Sequence, residues 1–168
     1  LYPTIKKTST LKFIVAPHEL SREFYSEIEQ KSERKVCYFT NYSEADKNSD
    51  LMIIDCIGLL SRVYGHAKYA FVGGGMGPGV HSVLEPAAFG IPVFFGNKNY
   101  ERWKESVQLV KSGGRFAIGS NAEFEEIIHQ LELEMEQYEG HCHNSASFVE
   151  EYSGSTEKIM TYINKILS

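Results

Sequence analysis

A glycine-rich turn between two apolar runs constrains this sequence more than any other feature. The first run, residues 69–72, leads into five glycines within residues 73–79, and the second run begins at Ile91, directly after Gly90. Glycine lets the backbone approach a ligand closely and adopt positive φ. A helix-like segment follows the glycines, and a helix start presents unpaired N–H groups that suit a phosphate. With Glu85 one turn into that helix as an acceptor for sugar hydroxyls, the pattern is typical of a nucleotide-sugar pocket.

The composition is that of a single globular domain. The chain has 168 residues, 42% of them hydrophobic, and no apolar stretch approaches the ~20 residues that cross a bilayer. Residues 121–168 carry ten acidic and two basic side chains, which argues against nucleic acid as a partner. Cys37, Cys56 and Cys142 show no regular spacing, which favours a reducing cytoplasm over a disulfide framework.

Short apolar runs alternate with helix-like patterns, which is typical of a parallel sheet with helices on both faces. The predicted strands are residues 12–16, 35–39, 51–55, 70–73, 92–95 and 115–118. They predict an α/β fold with a Rossmann-like, doubly wound, parallel six-stranded sheet. In the strand order 3-2-1-4-5-6, strands 1 and 4 flank the point where the order reverses, so we expect residues 17–18 and 73–82 to face one crevice.

Helical periodicity connects and follows these strands. Leu20, Phe24 and Ile28 recur every fourth residue, and Ser120 and Glu123 have the spacing of a capping box that opens a long helix. Shorter helices are predicted over residues 57–64, 83–89 and 102–111. The long helix is expected to bury Phe124, Ile127, Ile128, Leu131 and Met135, and a last helix over residues 156–167 is expected to bury Ile159, Tyr162, Ile163 and Ile166.

Four stretches, in the expected order, resemble the motifs of one enzyme family. Residues 79–87, Gly-Val-His-Ser-Val-Leu-Glu-Pro-Ala, resemble the Gly-Gly-His-Asn-x-Leu-Glu-Pro-Ala signature of the 3-deoxy-D-manno-octulosonic acid (Kdo) transferases. Residues 14–19 resemble the family's Ala-Pro-(Arg)-His-x-Glu turn, and residues 55–64 resemble its Asp-x-x-Gly-Glu-Leu…Leu-Tyr segment. Residues 70–75 resemble its Phe-Val-Gly-Gly stretch.

The sequence departs from the family pattern at four places. Val80 stands where the family usually has a second glycine, Ser82 where it has asparagine, and Leu59 where many members have glutamate. The arginine that often precedes the equivalent of His18 is absent. A valine restricts the backbone of the turn, and a serine hydroxyl offers fewer partners than an amide. These changes affect the donor contacts and leave the fold prediction unchanged.

The resemblance implies the carboxyl-terminal, donor-binding half of a two-domain GT-B glycosyltransferase. In lipopolysaccharide biosynthesis such an enzyme transfers Kdo from CMP-Kdo to a lipid A precursor, without a metal or cofactor, at the cytoplasmic side of the bacterial inner membrane. The catalytic acid, the acceptor site and the membrane-facing surface belong to the amino-terminal domain. We therefore expect no catalytic residue in this chain, no activity of the chain alone, a linker remnant at residues 1–10, and a soluble CMP-Kdo-binding domain over residues 11–168.

The resemblance also implies which residues contact the donor: Pro17, His18, Ile57, Gly58, Leu59, Gly74, Gly75, Gly79, His81, Ser82 and Glu85. Glu85 is expected to bind the ribose, and the backbone of residues 57–59 to read the cytosine edge. The residues alone leave plainer interpretations open. The glycines could form an ordinary loop, and Glu85 could be a first-turn acid that complements the helix dipole. Residues 57–59 could be a plain helix start, and His81 could be a structural histidine.

Two further features have structural interpretations. His141-Cys142-His143 lacks the second ligand cluster that zinc sites need, so we predict an exposed loop there and no metal site. Trp103 is predicted to pack one face of a helix, with stacking on a sugar as the alternative.

Two other functions fit the same pattern. One is half of another GT-B glycosyltransferase that uses a UDP- or GDP-sugar, which a preference for uracil or guanine would reveal. The other is a degenerate, non-catalytic nucleotide-sugar-binding module, favoured by Leu59, Val80 and Ser82.

Overall fold

The computed structural model describes residues 4–5, 11–73, 82–98 and 100–167 of the chain. It divides into two compact units, Leu1–Val63 and Tyr64–Ser168. All six predicted strands are present, each within two residues of its expected bounds: β1 (Phe13–Val15), β2 (Val36–Tyr38), β3 (Leu51–Ile53), β4 (Ala70–Val72), β5 (Val93–Gly96) and β6 (Arg115–Ile118). Each unit holds three of these strands.

The first unit contains a parallel sheet in the order β1-β3-β2. Phe13 pairs with Leu51, and Leu51 pairs on its other side with Val36. The expected order was therefore wrong, because β3 and not β2 lies beside β1. Hydrogen bonding among the described residues also forms two three-stranded sheets in place of one six-stranded sheet.

Helix α1 (Arg22–Ser32) covers one face of the first sheet. It begins at Ser21, whose side chain accepts a hydrogen bond from the Phe24 N–H at 3.3 Å. The predicted helical stripe of Leu20, Phe24 and Ile28 is only partly buried: Ile28 is buried against the sheet, while Leu20 and Phe24 are exposed. The reason is that the helix starts after Leu20, and its inward side is the one that carries Tyr25, Ile28 and Ser32.

The second unit contains a parallel sheet in the order β4-β5-β6. All four residues of the central strand β5 are buried, which explains its continuous apolar run. One cluster in its core consists of Val72, Val83, Ala87, Val93, Leu109 and Phe148. Between β3 and the long carboxyl-terminal helices, the described residues contain α2 (Leu60–Tyr64), which begins in the first unit, α3 (Leu84–Ala88) and α4 (Lys104–Lys111).

The long carboxyl-terminal helices are α5 (Asn121–Leu133) and α6 (Met135–Tyr152). The Ser120 side chain caps α5 by accepting from the Glu123 N–H at 3.2 Å, and the Glu123 carboxylate accepts from the Gly119 N–H at 2.7 Å. The predicted stripe of α5 is confirmed at the buried residues Phe124, Ile128 and Leu131. It is wrong at Met135, which is 53% exposed, because the chain leaves the helical conformation at Glu134 and begins α6.

The last helix, α7 (Ser155–Leu167), forms where it was predicted, but its apolar residues are not buried. Four of them are well exposed: Ile159 at 58%, Tyr162 at 66%, Ile163 at 39% and Ile166 at 64%. Periodicity identified an amphipathic helix correctly. The apolar side of this helix is left uncovered by the described part of the chain, and periodicity carries no information about that.

The predicted loop at His141-Cys142-His143 is also wrong, since all three residues lie within α6. His141 Nδ1 contacts the Gly113 carbonyl oxygen, and its ring packs on Phe116 with centroids 4.6 Å apart. Among the described residues, no group of three His, Cys, Asp or Glu side chains could hold a metal ion.

Candidate functional site

Two of the predicted donor-contact segments follow neighbouring strands of the first sheet, beyond the carboxyl ends of those strands. Pro17 and His18 follow β1, and residues 57–59 follow β3, its hydrogen-bonded neighbour. The carboxyl ends of parallel strands share an edge, where ligands of α/β sheets bind. Pro17 is half-buried, while His18 is exposed.

The segment after β3 is exposed and contains a glycine with a positive φ. Ile57 is 86% exposed, and Gly58 has φ +86° with no atom within 4 Å of where a Cβ would stand. A side chain at Gly58 would therefore be strained by its backbone conformation alone. The Leu59 carbonyl accepts hydrogen bonds from the N–H groups of Arg62 and Val63, so Leu59 also begins α2. The helix-start interpretation holds at Leu59, and Ile57 and Gly58 remain available to a ligand.

The other predicted contacts belong to the second unit, and most lie outside the described residues. This applies to Gly74, Gly75, Gly79 and His81. Ser82 is described and exposed.

Glu85 lies in the first turn of α3, where it is exposed beside the buried Pro86. Tyr64 has a raised pKa, chiefly because it is partly buried and secondly because the Glu85 carboxylate is near. Because α3 has only five residues, its start alone is a weak source of positive potential for a phosphate.

Sequence reasoning missed a cleft in the first unit. It is open to solvent, has a volume of about 340 Å³ and is lined by Arg22, Tyr25, Ser26, Tyr38, Asn41 and Asp55. Tyr38 ends β2, Asn41 lies in the 3-10 turn Phe39–Asn41 that follows, and Asp55 comes two residues after β3. The signal that could have found Tyr38, Asn41 and Asp55 is their position at or just after the carboxyl ends of predicted strands. We call this group of six residues the tyrosine cleft.

Asp55 is the acidic group of the tyrosine cleft. Partial burial by itself raises the pKa of its carboxyl, but the hydrogen bonds that the Thr40 hydroxyl and N–H donate to it outweigh this, so the pKa is lowered. The N–H bond to Oδ1 is 2.9 Å long. Asp55 is therefore a carboxylate at neutral pH. Burial raises the pKa of the nearby Tyr25 hydroxyl, and the charge of Asp55 adds to that effect.

Trp103 is not inside a helix as predicted. It is the residue before α4, where its carbonyl accepts from the Val107 N–H at 3.1 Å, and it is 47% exposed.

Among the described residues, no helix has the length and apolarity that a membrane crossing requires.

Comparison with known proteins finds similarity to Kdo transferases. The chain is 32% identical to 3-deoxy-D-manno-octulosonic acid transferase of Aquifex aeolicus over 124 residues, which are 73% of this chain and 34% of that protein. It is 36% identical to the Chlamydophila psittaci transferase of the same name over 90 residues, 51% of this chain and 20% of that protein. The chain thus spans about a third or less of these relatives.

A more distant relative is a bifunctional glycosyltransferase/methyltransferase of Fusobacterium nucleatum, 24% identical over 135 residues, which are 77% of this chain and 21% of that protein. No protein-family model matches the chain.

The fold is shared with a solved structure, the C-terminal CMP-Kdo binding domain of WaaA from Acinetobacter baumannii. The TM-score is 0.76 at 19% identity, and the match covers 88% of this chain and 78% of that one. The predicted fold class, a Rossmann-like α/β domain of the kind that forms the carboxyl-terminal half of a GT-B glycosyltransferase, is confirmed. The chain is a relative of the Kdo transferases, and its fold is that of the carboxyl-terminal domain of one of them.

Proposed function

We propose that this chain is the donor-binding domain of a Kdo transferase, which transfers Kdo from CMP-Kdo to a lipid A precursor. The observation that carries the proposal is the 32% identity to the Aquifex aeolicus transferase over 73% of the chain. It is supported by the fold, which matches a domain described as binding CMP-Kdo.

The local geometry agrees with this role in the first unit. Residues 17–18 and 57–59 lie at one edge of a parallel sheet, where a nucleotide can contact both segments. In the second unit, the exposed Glu85 carboxylate is the acceptor that we assign to the ribose hydroxyls. The roles of Gly74, Gly75, Gly79, His81 and Ser82 in donor contact remain predictions from the motif.

We assign the chemical step to another part of the full enzyme. Sugar transfer needs a base close to the acceptor hydroxyl, and we place that base, the lipid A precursor site and the membrane contact in an amino-terminal domain at the cytoplasmic face of the inner membrane. The donor domain then contributes CMP-Kdo binding without a metal, and this chain by itself should not transfer Kdo.

An amide NMR titration of the 168-residue chain with CMP, and with UMP and GMP as controls, tests the proposal. We expect CMP-selective shifts at Pro17-His18, at residues 57–59 and around Glu85. Equal shifts with all three nucleotides, or no shifts, would contradict it. Preference for UMP or GMP would indicate a transferase that uses another nucleotide sugar.

Glu85→Ala should weaken CMP binding by at least about tenfold, because a hydrogen bond to a charged group contributes about 1.5–3 kcal/mol. The matched control is Glu105→Ala, since Glu105 is likewise an exposed acid in the first turn of a helix, α4. It should leave the affinity unchanged. Equal effects of the two substitutions would remove Glu85 from the site.

A further inference from the structure

The tyrosine cleft lies entirely within the first unit and adjoins the segment expected to contact the donor. Asp55 is two residues before Ile57 in the chain, and both follow β3 at the edge where sheets of this kind bind ligands. Its volume of about 340 Å³ is sufficient for a ring with its substituents. The cleft is therefore a place for part of a small ligand.

The walls of the cleft suit a flat, aromatic group. The rings of Tyr25 and Tyr38 pack edge to face, with centroids 5.7 Å apart. The Tyr38 hydroxyl donates a 2.7 Å hydrogen bond to Glu29, which holds that ring in place. Aromatic side chains bind nucleobases by stacking, whichever base is present. The tyrosines thus provide affinity for a base, and selectivity has to come from the polar groups.

The acidic group of the cleft favours a base that donates a hydrogen bond. An ionised carboxylate accepts about four hydrogen bonds, and Thr40 supplies two of those of Asp55. The remaining capacity of Asp55 attracts an N–H group, while Arg22, which also lines the cleft, can donate to a carbonyl oxygen of the same base. The Tyr25 hydroxyl has no hydrogen-bond partner among the described residues, so it can add a second polar contact.

We propose that the tyrosine cleft holds the base of the donor nucleotide, and that Asp55 accepts a hydrogen bond from the exocyclic amino group of cytosine. This inference rests on the function proposed above and adds a residue that determines specificity. Cytosine presents an N4 amino donor, where uracil presents an O4 acceptor. Asp55 consequently selects CMP-linked over UMP-linked sugars.

The decisive variant is Asp55→Asn. An amide keeps one oxygen to accept from the Thr40 N–H, and its NH2 group can donate to the Thr40 hydroxyl or to a uracil O4. The dissociation constants of CMP and UMP, measured by amide NMR titration of the whole chain, should show a CMP-over-UMP preference that falls about tenfold or more in the variant.

The matched control is Asp46→Asn. Asp46 is also a carboxylate of the first unit; it lies in the 3-10 turn Glu44–Asp46 and accepts hydrogen bonds from the Ser43 hydroxyl and N–H. It does not line the cleft. The CMP-over-UMP preference should be unchanged in this variant.

A second measurement does not depend on any variant. Nuclear Overhauser effects between cytosine H5 or H6 and the ring protons of Tyr25 and Tyr38 should appear in the wild-type complex. If these Overhauser effects are absent from a CMP-selective complex, the inference about the cleft is wrong and the proposed function stands. An unaltered CMP-over-UMP preference in Asp55→Asn would have the same meaning. A wild-type chain without any preference for CMP would overturn both.

Discussion

Replacement of Gly114 by alanine should destabilise the second unit, because the backbone just before β6 lies too close to Ser145 of α6 for a side chain there. A Cβ at Gly114 would lie 2.8 Å from Ser145 Oγ and 2.9 Å from both Ser145 Cα and Ser145 N. The last two are backbone atoms in the middle of α6, which cannot rotate away. Gly114 does not have a positive φ, so the expected cost is steric and not conformational.

The expected loss of unfolding free energy in Gly114→Ala is the sum of two contributions. Forcing an extra methyl group into a packed interior typically costs about 1–3 kcal/mol. The displacement also strains the buried 2.8 Å hydrogen bond that Ser145 Oγ donates to the Gly114 carbonyl, which contributes about 1 kcal/mol. We therefore expect the free energy of unfolding to fall by about 2–4 kcal/mol.

Urea unfolding followed by the fluorescence of Trp103 measures this change, because Trp103 is the only tryptophan of the chain and lies in the same unit. The control is Gly140→Ala, since Gly140 is exposed on α6 with no atom within 4 Å of the added Cβ. It should raise stability by up to about 1 kcal/mol, from helix propensity alone. A loss below about 0.5 kcal/mol in Gly114→Ala would refute the steric argument.

Two more predictions concern the helices of the second unit. Glu132 accepts hydrogen bonds from Lys68 Nζ at 2.7 Å and from the Tyr69 hydroxyl at 2.6 Å, and these lower its pKa. Because the pKa of Glu132 is lower in the folded state, its ionised carboxylate stabilises the protein at any pH above the unfolded-state pKa of about 4.3. This stabilisation is lost as the pH falls through the folded-state pKa. Glu132→Gln should therefore lose less unfolding free energy than the wild type between about pH 7 and pH 3, by about 1 kcal/mol or less; identical losses would contradict this. On α7, Ile166→Ser should change the unfolding free energy by no more than about 0.5 kcal/mol, whereas Ile128→Ala on α5 should cost about 2–5 kcal/mol; a comparable cost at both positions in urea would show that α7 is buried.

The strands were the most predictable part of the fold. Residues 115–118 were predicted and observed as a strand with the same bounds, and the other five strands differ by one or two residues at one or both ends. Apolar runs bounded by turn residues are a local signal, so a single sequence carries it. The cap of α5 was predictable for the same reason, because Ser120 and Glu123 are only three residues apart.

The candidate site was predictable only in part. Residues 17–18 and 57–59 were expected to contact the donor. Both segments follow strands that pair in parallel, β1 and β3, so they lie beyond the carboxyl ends of neighbouring strands. The tyrosine cleft was missed, because Tyr25 and Tyr38 read as ordinary amphipathic residues until their helix and strand pack against each other.

The sequence by itself determined the α/β class, the bounds of most elements, the Kdo transferase motifs and the amphipathic nature of α7. Each of these is encoded by residues that are close together in the chain. Only the tertiary structure decided that β3 lies at the centre of its sheet, that α6 begins at Met135, and that the apolar side of α7 is exposed in the described part of the chain. Those outcomes depend on which distant surfaces compete for the same apolar contacts, and periodicity marks a surface as apolar without specifying its partner.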